Sequence, residues 1–489
     1  MGKKIKIILC VVITIILCCG QLFALNNLVQ RKSSDFKYHP FFEEKQNFDV
    51  LFMGTSHVLS GICPMELWND YGVVSYNMGG NGNEMATTYW VLKNALDYTT
   101  PKLVVIDCLK LGSDKKIADN KEYVHYSFDA FPITNNKKEA INDLFPEENR
   151  QEMLVDFSMY HTRWNDLDEE DINLVYTKEK GAETKIGVAV PKKPIWLKDK
   201  EKTEDYTVGA TYLRKMIEEC QQRGIKVLLT YLPFPPAMYH QKDANLAEDI
   251  AKEYGVEYIN FLNIKDIINF ETDCFDPDSH LNYSGARKVT AYLGEHITKK
   301  YGIQDRRQDE NYSSWNKDYE DYMVFKFDRL KQQDALDNSL MLLSDREMNS
   351  CIYIKGESGI LQDKRMIELI KNIAGNRKLP KLDQAMVQSK DYFLVVDNDT
   401  DTILESIGGI LNGQTSFGEV NYIPGEGHNL QLIINGEEKN YLEKDESGNG
   451  VDIKIIIASG LTNQIEHVAG FKKKGTDKNN NLIGNKVKP

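Results

Sequence analysis

The feature that most constrains the fold is an alternation of short apolar runs and longer helical stretches that begins at Asp49. The runs have the length and the flanking turn residues of strands, and they are Val50–Met53, Val73–Tyr76, Leu103–Ile106, Lys226–Tyr231 and Val256–Ile259. The helical stretches between them include Ala86–Tyr98, Tyr206–Gln222 and Asp243–Tyr254. The pattern predicts an α/β fold with a doubly wound parallel sheet, in which ligands bind beyond the carboxyl ends of the strands.

The chain of 489 residues is too long for one hydrophobic core, so several regions are expected. The α/β domain should cover 31–305, with a long insertion at about 108–200 that interrupts the alternation. A charged helical linker at 306–348 is followed by short β-like runs with turn residues between them, which predict an α+β domain at 349–471. The tail at 472–489 is rich in Lys, Asn and Gly and is predicted to be disordered.

A cationic start followed by an apolar run marks the N-terminus. Lys3, Lys4 and Lys6 precede about 18–20 mostly apolar residues, which is the pattern of a signal peptide or a signal anchor. Because the run is long and no small-residue cleavage site follows it, residues 1–30 are predicted to be an uncleaved transmembrane anchor. The Lys-rich end is then cytoplasmic and the main body extracytoplasmic, in a single-pass arrangement at the cell membrane. Residues 26–47 are expected to form a polar connector.

Charge and cysteine usage argue against several functions. The formal net charge of −13 leaves no excess of basic side chains to meet phosphates, so a nucleic-acid partner is not expected. Three of the eight cysteines lie in the anchor, and the other five are scattered without a Cys-x-x-Cys pair. Neither a disulfide framework nor a zinc site is therefore predicted.

The stretch Phe48–Gly61 carries the first candidate catalytic residue. A buried strand, Val50–Met53, runs into the tight turn Gly54–His57, which leads toward a helix at about Pro64–Asp70. Ser56 therefore lies at the carboxyl end of a strand, where backbone N–H groups converge and can stabilise an oxyanion formed on a nucleophile. The alternative is that Ser56 only caps the helix.

The second candidate lies in the loop Phe275–Ala286, which opens the last helix of the domain. An acid shortly before His280, either Asp278 or Asp276, can hold the imidazole in one tautomer so that it takes a proton from a serine. Two alternatives remain for this loop, namely a capping loop without chemistry and a cation site on the two carboxylates. A cation site needs more oxygen ligands than the loop supplies, so no metal is predicted.

A glycine-rich stretch, Tyr76–Asn83, follows the second strand and precedes a helix. Within it, Gly82 can present a bare backbone N–H to an oxyanion. A phosphate-binding loop is the rival interpretation, but the stretch lacks the Lys of a P-loop and the spacing of a dinucleotide-binding motif. A plain structural turn is the third alternative.

Taken in this order, the three stretches resemble the motifs of the SGNH (GDSL-like) hydrolase superfamily over roughly Asp49–Tyr301. The resemblance implies a flavodoxin-like, three-layer α/β/α domain. It also implies that Ser56 is the nucleophile, that His280 is the base, and that the Ser56 and Gly82 amides form the oxyanion hole. No cofactor is needed for such chemistry.

The sequence departs from the family's pattern at two positions. No Asn follows Asp107 in register, where the family has Gly-x-Asn-Asp after the third strand, so one oxyanion donor is missing or comes from elsewhere. The usual acid lies three residues before the His, and Pro277 occupies that position here. Asp278 is the preferred acid because its spacing resembles the Asp-x-His of the alginate O-acetylation branch, and Asp276 is the alternative.

The Gly-x-Ser-His start, the anchor and the segment Tyr160–Trp164 make the chain most similar to exported SGNH proteins that work with membrane-bound O-acyltransferases, including teichoic acid D-alanylation proteins. The resemblance implies a membrane-anchored extracytoplasmic serine esterase or O-acyltransferase that acts on acyl esters, foremost acetyl esters, of a cell-surface polysaccharide. The implied partners are that glycan and a membrane-bound O-acyltransferase. His161, Arg163 and Trp164 would line the substrate cleft or form a structural stack. The alternative function is a non-catalytic glycan-binding or assembly factor with the SGNH fold.

Overall fold

An apolar helix, α1 (Lys3–Val29), precedes the folded body of the protein. The computed structural model describes residues 2–30, 32–154, 160–172, 176–190, 192–277, 280–424, 431–438, 450–460, 462–476 and 482–487. Within these residues, α1 is the one helix that is long and apolar enough to cross a membrane, with a mean hydropathy of 2.8 in its most apolar window and 0% of that window buried. The apolar helix predicted at the N-terminus is therefore present.

A second helix, α2 (Ser33–Glu43), lies where the sequence predicts a polar connector. Its buried side chains recur every three or four residues and are Ser34, Lys37, Tyr38 and Phe41. Phe41 stacks on Phe48 with ring centroids 5.2 Å apart, which joins α2 to the core of the body. The connector prediction is wrong because polar residues, among them Lys37, occupy part of the buried stripe and hide its helical period.

The body is organised on a five-stranded parallel sheet in the order β2-β1-β3-β4-β5. Its strands are β1 (Val50–Met53), β2 (Ser75–Asn77), β3 (Leu103–Asp107), β4 (Lys226–Tyr231) and β5 (Glu257–Asn260). Phe52 of β1 lies opposite Asn77 of β2 on one side and Val105 of β3 on the other. The parallel sheet expected from the strand–helix alternation is confirmed, with β1 in its interior.

Helices connect these strands and cover both faces of the sheet. They are α3 (Ser56–Gly61), α4 (Pro64–Tyr71), α5 (Met85–Ala95), α6 (Lys121–Phe128), α7 (Asn135–Leu144), α8 (Arg150–Leu154), α9 (Glu169–Ile172), α10 (Val208–Gln222), α11 (Met238–Tyr254), α12 (Phe270–Asp273) and α13 (Tyr283–Tyr301), with 3₁₀-helices at Glu147–Asn149, His161–Asn165 and Phe261–Asn263. Leu51 belongs to the hydrophobic core shared with α5 and α10, whereas Phe52 belongs to the core shared with α13. Alternate side chains of β1 thus enter two cores, as in a sheet buried on both faces.

The C-terminal region, as far as the structure describes it, has two antiparallel sheets in the orders β15-β14-β13-β6-β7-β8 and β12-β11-β10-β9. The helices are α14 (Ser313–Lys331), α15 (Leu336–Leu342), α16 (Lys364–Ala374) and α17 (Pro380–Gln388), with 3₁₀-helices at Glu310–Tyr312, Gly356–Ser358 and Ile360–Gln362. The strands are β6 (Met348–Ile354), β7 (Tyr392–Asp397), β8 (Thr402–Ile407), β9 (Leu411–Thr415), β10 (Gly418–Ile423), β11 (Gln431–Ile434), β12 (Glu437–Glu438), β13 (Ile453–Ser459), β14 (Ile465–Thr476) and β15 (Leu482–Val487).

The prediction of a disordered tail at 472–489 is wrong for the residues of the tail that are described. β14 continues to Thr476 and pairs with β15, so that Thr476 lies opposite Leu482 and Gly470 opposite Val487. The Lys486 ammonium also donates to the Lys331 carbonyl at 2.6 Å. The Lys- and Asn-rich composition hid the strand because an edge strand carries polar side chains without losing its backbone pairing.

Candidate active site

Ser56 is presented by the tight turn after β1. Thr55 is the N-cap of α3, and its Oγ1 accepts a hydrogen bond from the His57 amide at 3.2 Å. Ser56 is therefore the first helical residue and not the cap, which removes the capping alternative. Gly54 permits the turn, because a Cβ at that position would lie 2.6 Å from Val58 Cγ2. The Ser56 amide belongs to the first N–H groups of α3, which have no acceptor inside the helix.

His280 lies directly against Ser56, with its Nε2 2.8 Å from Ser56 Oγ. The Nδ1 of His280 contacts Asp276 Oδ2, and the His280 amide donates to Asp276 Oδ1 at 3.3 Å. A carboxylate beside Nδ1 keeps that nitrogen protonated, which leaves Nε2 to accept the proton of the serine. The His280 and Asp276 side chains are 26% and 28% exposed, so both border on open space.

A short turn brings the acid back onto the imidazole. Cys274 and Leu281 form an isolated antiparallel β-bridge, which closes the loop between them. Inside this loop Asp276, four residues before His280, meets the ring. The carboxylate on Nδ1 is thus that of Asp276, the alternative acid, and not that of Asp278, the preferred one. The bridge between Cys274 and Leu281 determines which acid meets the ring, and the spacing along the chain does not. Asp278 lies outside the described residues.

Asn77, the last residue of β2, ties the following loop to α3. Its Nδ2 donates to the carbonyls of Val58 and Ile62 at 2.7 and 2.9 Å. Its Oδ1 accepts a hydrogen bond from the Gly79 amide at 2.9 Å. Gly79 packs so closely on α3 that a Cβ there would lie 2.4 Å from Leu59 N. The first half of the glycine-rich stretch Tyr76–Asn83 therefore holds the loop against the helix that carries Ser56.

Lys37 of α2 holds the same loop. Its buried ammonium group donates to the Gly79 carbonyl. Burial lowers the pKa of Lys37 to about 7, although the nearby Glu183 opposes the shift. This contact constrains the loop strongly, because breaking it would leave a buried donor and a buried acceptor without partners.

Gly82 lies on the wall of the cavity that also contains Ser56 and His280. Its φ is +63°, a left-handed backbone conformation that glycine adopts without cost. A Cβ at this position would also lie 2.8 Å from Tyr123 Cδ2. The structure thus brings the predicted oxyanion donor, nucleophile and base to one cavity.

This cavity, which has a volume of about 920 Å³, lies at the carboxyl edge of the sheet. Its lining also includes basic and aromatic side chains that the sequence analysis does not identify, namely Lys110, Tyr123, Lys192, Lys193, Tyr239 and His240. Lys110 follows the end of β3 by three residues. The rule that ligands bind beyond the strand ends could therefore have identified it from the sequence. The others come from loops and helices that no sequence pattern connects to Ser56.

His57, next to the predicted nucleophile Ser56, forms part of the cavity wall. Its ring packs edge-on against Phe234 and His280, with centroids 4.6 and 5.4 Å away. Burial, and then the neighbouring His280 and His240, hold the pKa of His57 well below its usual value. His57 is therefore uncharged at neutral pH and supports the His280 ring as a neutral neighbour.

The end of β3 is where the chain departs from the Gly-x-Asn-Asp block. Asp107 is buried, and its Oδ1 accepts a hydrogen bond from the Leu232 amide at 2.9 Å. Burial raises the pKa of Asp107 to about 7, against the effect of the backbone hydrogen bonds that it accepts. The residues after β3 that reach the cavity are Leu109, Lys110, Gly112 and Ser113.

The segment predicted to line the substrate cleft lies elsewhere. His161, Arg163 and Trp164 belong to the 3₁₀-helix that packs against α1. Among the described residues that line the Ser56 cavity, none of these three occurs. The substrate-cleft interpretation is wrong for this cavity because the Arg163 guanidinium is bound to Asp171 and to a carbonyl at the end of α1.

In the described part of the chain, no group of three or more His, Cys, Asp or Glu side chains is placed to hold a metal ion. Asp276, one carboxylate of the cation-site alternative, is engaged with His280.

The chain has no match among models of known protein families and none among curated protein sequences. The SGNH interpretation therefore depends on the motif residues and on the geometry around Ser56.

Proposed function

We propose that the protein is a membrane-anchored serine esterase or O-acyltransferase of the SGNH (GDSL-like) type. The observation that carries this proposal is the chain of contacts from Asp276 through His280 to Ser56, beside a cavity of about 920 Å³. Nucleophilic acyl transfer needs a hydroxyl, an imidazole and an orienting carboxylate in this order. The proposed substrates are acyl esters, foremost acetyl esters, of a cell-surface polysaccharide.

In the first half-reaction, Ser56 Oγ attacks the ester carbonyl while His280 Nε2 takes the serine proton. Asp276 keeps the other imidazole nitrogen protonated and stabilises the imidazolium that forms. The amides of Ser56 and Gly82 receive the oxyanion, and one such donor contributes about 3–4 kcal/mol to transition-state stabilisation. Collapse of the tetrahedral intermediate releases the alcohol, which takes the proton from His280, and leaves Ser56 acylated.

The second half-reaction decides between hydrolysis and transfer. Water or a sugar hydroxyl gives its proton to His280 and attacks the acyl group on Ser56, which restores the free serine. The open cavity has room for a sugar chain at this step, and Lys110 and Lys193 on its wall favour a glycan that carries negative charge.

The proposed site of action is the outer face of the cell membrane. The apolar helix α1 supports attachment to the membrane, and the lysines that begin the chain support a cytoplasmic N-terminus. An enzyme tethered in this way meets surface polymers at a high effective concentration. A membrane-bound O-acyltransferase that supplies acyl groups to Ser56 is the proposed partner.

One observation favours the alternative, a non-catalytic glycan-binding or assembly factor. The loop after β3 reaches the cavity through Leu109, Lys110, Gly112 and Ser113, and none of these supplies the side-chain amide of the family's Asn. If the two backbone amides stabilise the oxyanion too weakly, the site binds its ligand without turnover.

A serine-directed fluorophosphonate tests the proposal on the full chain in detergent. Ser113→Ala is the matched control, because Ser113 is another serine on the cavity wall and its hydroxyl already accepts a hydrogen bond from the Lys115 amide at 3.2 Å. We expect wild type and Ser113→Ala to be labelled and Ser56→Ala to remain unlabelled. Hydrolysis of 4-nitrophenyl acetate should fall at least about 10³-fold in Ser56→Ala alone.

Equal labelling of wild type and Ser56→Ala would reject the assignment of the nucleophile. Folded wild-type protein that turns over neither the small ester nor acetylated wall glycan would favour the non-catalytic factor.

A further inference from the structure

The 3₁₀-helix His161–Asn165 and helix α9 pack against α1, at the point where the apolar helix enters the body. Val29, the last residue of α1, is fully buried there. Arg163 Nη1 donates to the Val29 carbonyl at 2.8 Å. The last carbonyls of a helix have no partner inside the helix and carry partial negative charge, so a guanidinium at this position stabilises the helix end.

The guanidinium that makes this contact is itself fixed. Arg163 Nη2 donates to both oxygens of Asp171, at 2.9 and 2.8 Å. The Asp168 amide donates to the same carboxylate at 3.1 Å, and Asp168 Oδ1 accepts from the Asp171 amide at 3.2 Å. We call Arg163, Asp168 and Asp171 the clasp. A paired, multiply bonded guanidinium of this kind holds a fixed direction, so the clasp sets the angle between α1 and the body.

Two large apolar side chains next to the clasp are turned outward. Trp164 adjoins Arg163 and is 65% exposed, and Ile172 adjoins Asp171 and is 71% exposed. They belong to the 3₁₀-helix and to α9, both of which contact α1, and none of the most apolar window of α1 is buried. Tryptophan is enriched where a membrane meets water, because its ring is apolar and its N–H is polar.

The length of α1 places the clasp at the height of the lipid headgroups. The apolar run from Ile7 to Leu25 is about 29 Å long as a helix and so matches the hydrocarbon core, which is about 30 Å thick, whereas the polar Asn26 and Asn27 begin the last turn of α1. When the apolar part of α1 fills the core, its last turns therefore lie in the interfacial layer. The side chains that surround Val29 lie in the same layer.

We infer that Trp164 and Ile172 rest on the bilayer around α1, so that the protein is attached by a helix and also seated on the lipid surface. The clasp joins α1 rigidly to the segment that carries Trp164 and Ile172, and it thereby fixes the orientation of the body relative to the membrane plane. The inference depends on α1 crossing the membrane and is independent of the chemistry proposed for Ser56.

Tryptophan fluorescence of the full chain in phosphatidylcholine vesicles tests this inference. Three of the five tryptophans, Trp68, Trp90 and Trp315, are buried. Trp196 is 51% exposed and is the matched control for Trp164. Lipids brominated close to the headgroup should quench the wild type and Trp196→Phe. In Trp164→Phe we expect roughly half or more of that quenching to be lost, because the interfacial ring is gone.

Two results would overturn the inference. One is quenching by brominated lipid that is the same in Trp164→Phe as in wild type. The other is that dissolved iodide quenches the fluorescence of Trp164 as strongly as it quenches the fluorescence of Trp196. This would show that the Trp164 ring is in water and not in the lipid interface.

A second variant tests the clasp without changing a tryptophan. Asp171→Asn should remain in the membrane fraction through α1, while quenching by brominated lipid falls at least about twofold because Arg163 loses its bidentate partner. The control is Lys202→Met, which removes an exposed ion pair with Asp249 at 2.6 Å. Unchanged quenching in Asp171→Asn would mean that the clasp does not seat the body.

Discussion

Two clusters of charged side chains meet at the start of α13, and they are built differently. In the loop before the helix, His280 and Asp276 are 26% and 28% exposed beside an open cavity. The second cluster consists of four side chains that are at most 11% exposed, namely Glu66, Arg287, Lys326 and Asp345. In the first cluster one nitrogen of the imidazole faces a hydroxyl, whereas in the second both carboxylates are paired with both cations.

In the buried cluster, each of the two carboxylates is paired with both cations. Lys326 Nζ lies 3.1 Å from Glu66 Oε1 and 2.8 Å from Asp345 Oδ2. The Tyr283 hydroxyl lies 2.8 and 2.7 Å from the same two carboxylates. Burial alone would push the pKa of Glu66 and of Asp345 up, but Arg287 and Lys326 outweigh it and hold both below their usual values.

The comparison shows that shifted pKa values alone do not mark a functional site. The buried cluster links α4, α13 and α14 to the turn before β6, so its charges join parts of the fold. The cluster at His280 differs because its imidazole faces the Ser56 hydroxyl and not a second cation.

The largest effect is expected at the acid beside His280. Asp276→Asn should lower kcat for 4-nitrophenyl acetate about 10²–10⁴-fold, because an amide on Nδ1 favours the wrong imidazole tautomer. Asp278→Asn is the control and should change kcat less than about threefold. Steady-state kinetics on variants with wild-type circular dichroism make the measurement. The reverse order of the two variants would return the role to Asp278.

The next largest effect is expected in the buried cluster. Lys326→Met should lower the free energy of unfolding by about 3–5 kcal/mol, because Glu66 and Asp345 then share a buried site with one cation fewer. Lys202→Met is the control, since Lys202 and Asp249 are 58% and 46% exposed and lie 2.6 Å apart; it should cost at most about 1 kcal/mol. Urea unfolding measures both. Equal costs would erase the distinction between buried and exposed pairs.

A smaller, pH-dependent effect is expected at Asp107, a buried carboxyl whose pKa is raised from 3.8 to about 7 by burial. The folded state binds this proton more tightly than the unfolded chain, so the stabilisation is complete below about pH 4 and is lost as pH rises through about 7. Asp107→Asn cannot titrate, so its stability relative to wild type should increase between about pH 5 and pH 8, by about 2–3 kcal/mol. Urea unfolding at the two pH values measures this. Wild-type and variant stabilities that change in parallel would contradict the raised pKa.

The parallel sheet was predictable because strands buried on both faces leave an unambiguous apolar signal. The predicted Val50–Met53 and Lys226–Tyr231 coincide with β1 and β4, and the other strands shift by one or two residues at their ends. The carboxyl ends of parallel strands meet at one edge of the sheet. The positions of Ser56 after β1 and of Gly82 after β2 therefore predicted that both residues border the same cavity.

The remaining features depend on contacts between distant segments. The choice of Asp276 over Asp278 depends on the bridge between Cys274 and Leu281, which residue spacing does not encode. The pairing of β15 with β14 is likewise a long-range event, because composition alone indicates disorder there. The position of Arg163 is set by the end of α1, more than a hundred residues earlier in the chain.

Because Lys37 lies in the segment between α1 and the body, the position at which a protease cuts this segment decides whether the released body keeps the contact with Gly79. A cut just before Ser33 would release a body that keeps α2, the Phe41–Phe48 stack and the amine bonded to the Gly79 carbonyl. A cut after Glu43 would release a body that has lost all three, so that the glycine loop beside Ser56 is no longer held by Lys37. Two cleavage positions roughly ten residues apart would thus yield two soluble forms, one with the glycine loop held by Lys37 and one with that loop released.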